Sequence, residues 1–251
     1  MCRLLAYASR TPVSLTDLLG ADELDEFVQL SRHHCDGWGL AWAKNRGVRT
    51  TRVPDPAHDS PEFARVSRKH RTDLALAHVR WATDDLAIDL NNTHPFTNGK
   101  VGFAHNGAIR PATALDALVP PDLAAQRHGT TDSERYFLAV LGRMRTMSPA
   151  DALASVAADI AEGPYSFTCL NAMLVTDTQL IALNRVRPSA EEEEGGPEYY
   201  RLRYRITPDA VVVTSSGWGS GWQTLDNGQM LVVQRHSLAT EILDVASVPV
   251  G

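Results

Sequence analysis

Apolar and polar positions along the chain follow two rhythms, and the switches between them predict where strands give way to helices. "LLAYA" (residues 4–8) is an unbroken apolar run close to the amino end, the pattern of a strand buried on both faces. Residues 14–32 then carry Leu15, Leu18, Leu19, Leu24, Phe27, Val28 and Leu30 at helical spacing. "GWGLAWA" (37–43) returns to strand character, followed by a turn at Asn45-Arg46-Gly47 and a further strand. Ser60-Pro61 predicts a helix start, because a proline at the first helical position gives up only an N–H that has no partner there. "LALAHVRWA" (74–82) and "VGFAHNGAI" (101–109) read as internal strands, the second broken at Asn106-Gly107.

"TTDSERYFLAVLGRMR" (130–145) predicts a helix whose apolar stripe is Tyr136, Phe137, Val140, Leu141 and Met144, opened by a capping box between Thr131 and Glu134. Ser148-Pro149 opens another helix, which Gly163 ends. "LNAMLV" and "QLIALNRV" flank Thr176-Asp177-Thr178 and predict a hairpin. The charged, Gly/Pro-containing stretch 188–198 predicts a solvated loop, and strands are expected at 199–206, 210–215, 229–234 and 241–245. Strands and helices, then helices, then strands suggest an α+β layered fold with largely antiparallel sheets rather than regular βαβ alternation. No repeat and no linker divides the chain, so a single domain over residues 1–251 is expected.

Composition narrows the function classes. The 251 residues carry a formal charge of −6, without the basic footprint of a sequence-independent nucleic-acid binder. No segment is long and apolar enough for a membrane span, and the amino end lacks a signal-peptide pattern, so neither a nucleic acid nor a membrane is expected as a partner. Three cysteines, Cys2, Cys35 and Cys169, make no disulfide framework, which fits a cytoplasmic setting.

Several short stretches could carry chemistry, and each has a plain alternative. Once Met1 is removed, Cys2 combines a thiol with a free α-amine of reference pKa about 7.7–8.0, a nucleophile and a base in one residue. Taken alone, Cys2 is equally an inert cysteine in a buried strand. Arg80, next to Trp81 in an apolar strand, needs a carboxylate, from a ligand or from the protein itself. Asn106 and the Gly107 N–H are two adjacent donors able to form an oxyanion hole, although Asn-Gly is also a common turn. Asp132 falls in the first turn of a helix, where its charge suits the N-terminal dipole, and could also grip an ammonium group. "HHCD" (33–36) invites a metal reading, but an extended backbone sends successive side chains to opposite faces, so no metal and no cofactor is expected.

The set and order of these segments resemble the class II glutamine amidotransferases, whose catalytic domain belongs to the N-terminal nucleophile hydrolases. The matching motifs are Cys2, Asp36-Gly37-Trp38-Gly39, Arg80-Trp81-Ala82-Thr83, His94-Pro95-Phe96, His105-Asn106-Gly107 and Thr131-Asp132-Ser133-Glu134. The D-G-W-G form looks like the stand-alone branch of that family. The resemblance implies a four-layer αββα sandwich of two mostly antiparallel sheets. It further implies Cys2 as nucleophile with its α-amine as base, and Asn106 and Gly107 as the oxyanion hole. Arg80 would bind the α-carboxylate of a γ-glutamyl group and Asp132 its α-ammonium, with Trp81 and Thr83 lining the pocket. Two departures from the large aminotransferring members, Asp84-Asp85 after the Arg-Trp-Ala-Thr motif and His33-His34 where an arginine often stands, bear on loop closure rather than on hydrolysis.

The expected activity is hydrolysis of a γ-glutamyl amide, glutamine or a conjugate, through a Cys2 thioester. No synthase domain is expected to follow, so the ammonia either goes to a separate synthase chain or is simply released. The competing readings are a γ-glutamyl-cysteine conjugate hydrolase of the ergothioneine pathway, an inactive ligand-binding homologue, and a protein acylated at Cys2.

Overall fold

In the computed structural model, residues 2–82, 86–187, 199–216 and 218–245 are described. The chain begins with β1 (Arg3–Val13), passes through α1 (Leu15–Leu19) and α2 (Ala21–Gln29), and forms the hairpin β2 (Trp38–Lys44) and β3 (Gly47–Val53). Helix α3 (Pro61–Lys69) leads to β4 (Thr72–Val79), β5 (Phe96–Thr97), β6 (Gly102–Asn106) and β7 (Ile109–Arg110). Helices α4 (Pro121–Ala124), α5 (Asp132–Arg143) and α6 (Pro149–Glu162) precede β8 (Ser166–Phe167), β9 (Asn171–Val175) and β10 (Gln179–Asn184). The chain closes through β11 (Arg203–Ile206), β12 (Ala210–Thr214), β13 (Gln223–Thr224), β14 (Gln229–Gln234) and β15 (Thr240–Asp244).

A seven-stranded sheet, ordered β13-β11-β12-β1-β4-β2-β3, faces a six-stranded sheet ordered β15-β14-β10-β9-β6-β5. The pairings within both are antiparallel. Period two along each strand separates three cores. Leu4, Ala6, Leu74 and Leu76 meet Ala104, Met173 and Ala182 between the sheets. Leu5, Tyr7 and Ala75 turn outward onto Leu15, Phe27 and Phe63 of the first helical layer. Phe103, Leu174 and Ile181 pack on Tyr136, Phe137, Leu153 and Ile160 of α5 and α6. Three cores make four layers, the αββα sandwich of two antiparallel sheets that the resemblance implies.

The predicted helix over 14–32 is divided at Gly20, whose φ of 81° no helix accommodates. Ser60 caps α3 by accepting the Phe63 N–H, as its sequence predicts. The strand expected over 199–206 is confined to Arg203–Ile206, and the loop expected at 188–198 lies outside the described residues. Half of the predicted capping box at α5 forms: Thr131 Oγ1 accepts the Glu134 N–H at 3.1 Å. The other half does not, because Glu134 turns its carboxylate to the N–H groups of His128 and Gly129 at 2.9 and 2.7 Å. Those two amides precede the helix and have no strand to pair with, so the carboxylate satisfies two donors instead of one. Among the described residues, no helix is long and apolar enough to cross a membrane.

Candidate active site

The inter-sheet face of β1 continues from Ala8, Ala6 and Leu4 to Cys2, just before the strand begins. The register pairs Leu4 with His78, so Arg80, two residues past His78, stands beside Cys2 where β4 has just ended. The Trp81 N–H donates to Cys2 Sγ at 3.4 Å, and the thiol donates to the Trp81 carbonyl at 3.5 Å. Burial raises the Cys2 pKa; the Trp81 hydrogen bond and the Arg80 charge lower it, and Asp132 raises it. The charges of Arg80 and Asp132 thus both act on this thiol.

Arg80 is 2% exposed. One terminal nitrogen donates to the Asp36 carbonyl and the other to the Ala87 carbonyl, both at 3.3 Å. Among the described residues no carboxylate lies within ion-pair distance of this guanidinium. Burial lowers its pKa, while Cys2, Asp36 and Asp89 raise it. A guanidinium stays charged, so a buried one held only by carbonyls can still take a ligand carboxylate. Its backbone is clamped from both sides by the Asp36-Gly37 pair. The Asp36 N–H donates to the Arg80 carbonyl at 3.1 Å, and the Arg80 N–H donates to the Gly37 carbonyl at 2.7 Å. Asp36 Oδ2 then accepts the Ala82 N–H at 2.7 Å.

Asn106 ends β6 on the same face as Ala104, the face that meets β1. It is fully buried, and among the described residues neither its Oδ1 nor its Nδ2 has a hydrogen-bond partner. Gly107 follows with φ 146°, and a Cβ there would collide with the Cys169 carbonyl oxygen, so only glycine fits. Asn106 is tied toward Cys2 through its strand partner: Asn171 Nδ2 donates to the Tyr200 carbonyl at 2.6 Å, and the neighbouring Tyr199 carbonyl accepts from Arg3 at 3.2 Å.

Asp132 is the first residue of α5. Its Oδ2 accepts the Ile109 N–H at 2.6 Å and its Oδ1 accepts the Ser133 N–H at 2.8 Å, with no cation in ion-pair distance among the described residues. A carboxylate has about four acceptor sites, so capacity for an ammonium remains.

The structure therefore sets Arg80 beside the Cys2 thiol, with the Asp132 charge acting on the same sulfur and Asn106-Gly107 at the end of a strand of the facing sheet. Trp81 contributes its backbone to Cys2, while its ring is 47% exposed and packs edge-on against His34 at 5.4 Å. Thr83 lies outside the described residues. The "HHCD" side chains disperse: His34 is buried, and Cys35 is exposed with Sγ 3.8 Å from Asp36 Oδ1. Among the described residues no three His, Cys, Asp or Glu side chains gather as metal ligands.

Three residues with structural duties at this site carried no assigned role in the sequence: Asp36, His105 and Ser133. Their motif positions marked them, but their functions are set by partners from other segments of the chain. Gly39 is a similar case. A Cβ there would strike the His94 carbonyl, so the D-G-W-G segment lies against the H-P-F segment only with glycine at this position.

The family profile described as glutamine amidotransferases class-II matches residues 1–244. The Escherichia coli protein YafJ, named for the glutamine amidotransferase family, is 29% identical over 155 residues, 59% of this chain and 57% of that protein, so the match spans little more than half of the relative. The γ-glutamyl-hercynylcysteine sulfoxide hydrolase of Mycolicibacterium smegmatis is 30% identical over 171 residues, 64% of this chain and 70% of the hydrolase. Among solved structures, a glutamine aminotransferase class-II domain protein from Silicibacter pomeroyi superposes with a TM-score of 0.70 at 24% identity, covering 97% of this chain and 99% of its own.

Proposed function

The chain belongs to the class II glutamine amidotransferases, and from that premise we propose that it hydrolyses a γ-glutamyl amide through a thioester on Cys2. The observation that carries this reading is Arg80: a buried, permanently charged guanidinium beside the thiol, with no carboxylate of its own among the described residues. A γ-glutamyl group supplies that carboxylate, an ammonium for Asp132, and a carbonyl whose oxyanion Asn106 Nδ2 and the Gly107 N–H receive.

Met1 is first removed, leaving Cys2 with a free α-amine. Burial holds the thiol above its ordinary pKa, so at neutral pH it starts protonated and needs a base. The α-amine takes that proton as Sγ attacks the γ-carbonyl. The C–N bond breaks as the amine passes the proton to the departing nitrogen. Water then attacks the thioester, giving its proton to the same amine, and Cys2 leaves as the thiol with glutamate released. Intact-mass measurement of the purified protein is expected to show the chain without Met1; full retention would remove the base and end this reading.

Arg80→Lys is expected to raise KM for a γ-glutamyl substrate by about tenfold or more, with a smaller effect on kcat, because an ammonium cannot reproduce the two-pronged carboxylate contact. Steady-state kinetics checks this, and an unchanged KM would place the substrate carboxylate elsewhere.

The leaving group follows one of two readings. Glutamine as substrate yields ammonia, released or passed to a separate synthase. A γ-glutamyl-cysteine conjugate is the alternative, with which the likeness to the Mycolicibacterium smegmatis hydrolase is consistent. A panel of glutamine, γ-glutamyl dipeptides and γ-glutamyl-thiol conjugates, read by glutamate release, separates them. No release from any of them overturns the proposed activity.

A further inference from the structure

His105 is fully enclosed and is held at both ring nitrogens. Nε2 lies 2.9 Å from the Cys169 carbonyl oxygen, and Nδ1 lies 2.9 Å from Ser133 Oγ. Ser133 Oγ is in turn 3.3 Å from Asp132 Oδ1. One chain of contacts therefore runs from the oxyanion strand β6 to the carboxylate at the start of α5.

The protons on this chain can be placed by elimination. A carbonyl only accepts, so Nε2 carries the ring proton. Burial lowers the pKa of His105, the Asp132 charge and the Cys169 hydrogen bond raise it, and the direction overall is downward, so the ring is neutral. A neutral ring with its proton on Nε2 has a lone pair on Nδ1. Ser133 has a single hydroxyl proton and two acceptors competing for it. Ser133 Oγ reaches both, but Nδ1 at 2.9 Å is the closer acceptor and Oδ1 at 3.3 Å makes the longer, weaker bond. The proton goes to His105.

We propose that His105 is a positioning residue for the α-ammonium subsite: by drawing the Ser133 hydroxyl proton onto Nδ1, it leaves Asp132 Oδ1 free to receive the substrate. The inference rests on the proposed function, in which Asp132 binds the α-ammonium group. Without the Nδ1 acceptor, the Ser133 hydroxyl rotates onto Asp132 Oδ1, a charged acceptor directly beside it. That bond occupies a lone pair the ammonium needs and spreads part of the carboxylate charge, as hydrogen bonds to a charged group do. The same ring also fixes the Cys169 carbonyl, the wall against which Gly107 sits.

Two substitutions separate the two ends of the ring. In His105→Gln, the amide nitrogen reaches the place of Nε2 and keeps the donor to Cys169, but no acceptor remains at Nδ1. In His105→Asn, the amide oxygen stands near Nδ1 and keeps the acceptor for Ser133. KM for a γ-glutamyl substrate is expected to rise about five- to tenfold in His105→Gln and by a clearly smaller factor in His105→Asn. Adding Ser133→Ala to His105→Gln removes the hydroxyl that turns on Asp132 and is expected to restore most of the lost affinity. A substrate analogue lacking the α-amino group should not register the His105→Gln change in KM. Thermal melting of each variant shows that it is folded.

A merely structural histidine gives the opposite result, since the second substitution adds damage to the first. An unchanged KM in His105→Gln, or no recovery with Ser133→Ala, overturns the inference while leaving glutamate release by the unaltered enzyme intact. Absence of that release in the unaltered enzyme overturns the functional reading and this inference with it.

Discussion

Cys2→Ala is expected to reduce glutamate release from γ-glutamyl substrates to background, a fall on the order of 10⁴-fold or more, as removal of a covalent nucleophile does. The side chain is well suited to a clean test. The hydrogen-bond partners of its sulfur are the N–H and carbonyl of Trp81, at 3.4 and 3.5 Å, both marginal for a second-row atom. Neither bond supports a strand or a helix, so melting temperature should barely change. The remaining thiols provide internal controls. Cys169 is fully buried, its pKa is pushed up by burial, and it accepts the Asn171 N–H at 3.4 Å, the setting of a packed and inert cysteine. Cys35 is exposed and outside the inter-sheet layer, so Cys35→Ala should retain turnover. Turnover surviving in Cys2→Ala would sink the thioester mechanism whatever the family. Trapping the acyl-enzyme by acid quench and locating the adduct on the first peptide would give the same answer independently.

Much of the layered fold was legible in the chain because its cores are built from period-two strands and capped amphipathic helices. Leu4, Ala6 and Ala8 against Leu5 and Tyr7 already divide into two faces, and Ser60-Pro61 and Ser148-Pro149 open helices where they predict them. What was not legible depended on long-range partners. Glu134 looks like the second half of a capping box from its spacing alone. Its actual partners are two loop amides whose unpaired state follows from how 128–130 crosses in front of α5. Gly20 broke a helix that hydrophobic spacing carried straight through. The candidate site divides in the same way. Cys2, Arg80, Asn106, Gly107 and Asp132 could be singled out by residue type and motif. That Arg80 faces two carbonyls and, among the described residues, no carboxylate, or that Asn106 finds no partner among them at either atom, is a property of packing between two sheets. His105 could be seen in a motif, yet its task follows only from Ser133 and Cys169 standing at its two nitrogens.

Asn106→Leu is expected to lower kcat for a γ-glutamyl amide by about 10²- to 10³-fold, the usual consequence of losing one oxyanion donor, while leaving the protein as stable as before or more so. The two effects have one cause. A buried amide with both polar atoms unpartnered costs about 1–3 kcal/mol relative to an apolar group of similar shape. Leucine has the same heavy-atom branching at Cγ, with bulkier methyl groups, and removes both unsatisfied atoms, so the free energy of unfolding should not fall. The register of β6 on β9, Asn106 opposite Asn171, is made by backbone groups and is unaffected. An asparagine kept only for packing would give the reverse pattern, a loss of stability with catalysis spared. Steady-state kinetics and denaturant unfolding of the same preparation therefore decide between them. A variant that melts lower and turns over normally would remove Asn106 from the site. The opposite outcome, a stable protein with kcat lost, would identify Asn106 as a residue whose cost to the fold is offset by the charge it receives during reaction. KM should change little in that case, because the amide oxygen of the substrate gains most of its charge only as the thiol attacks.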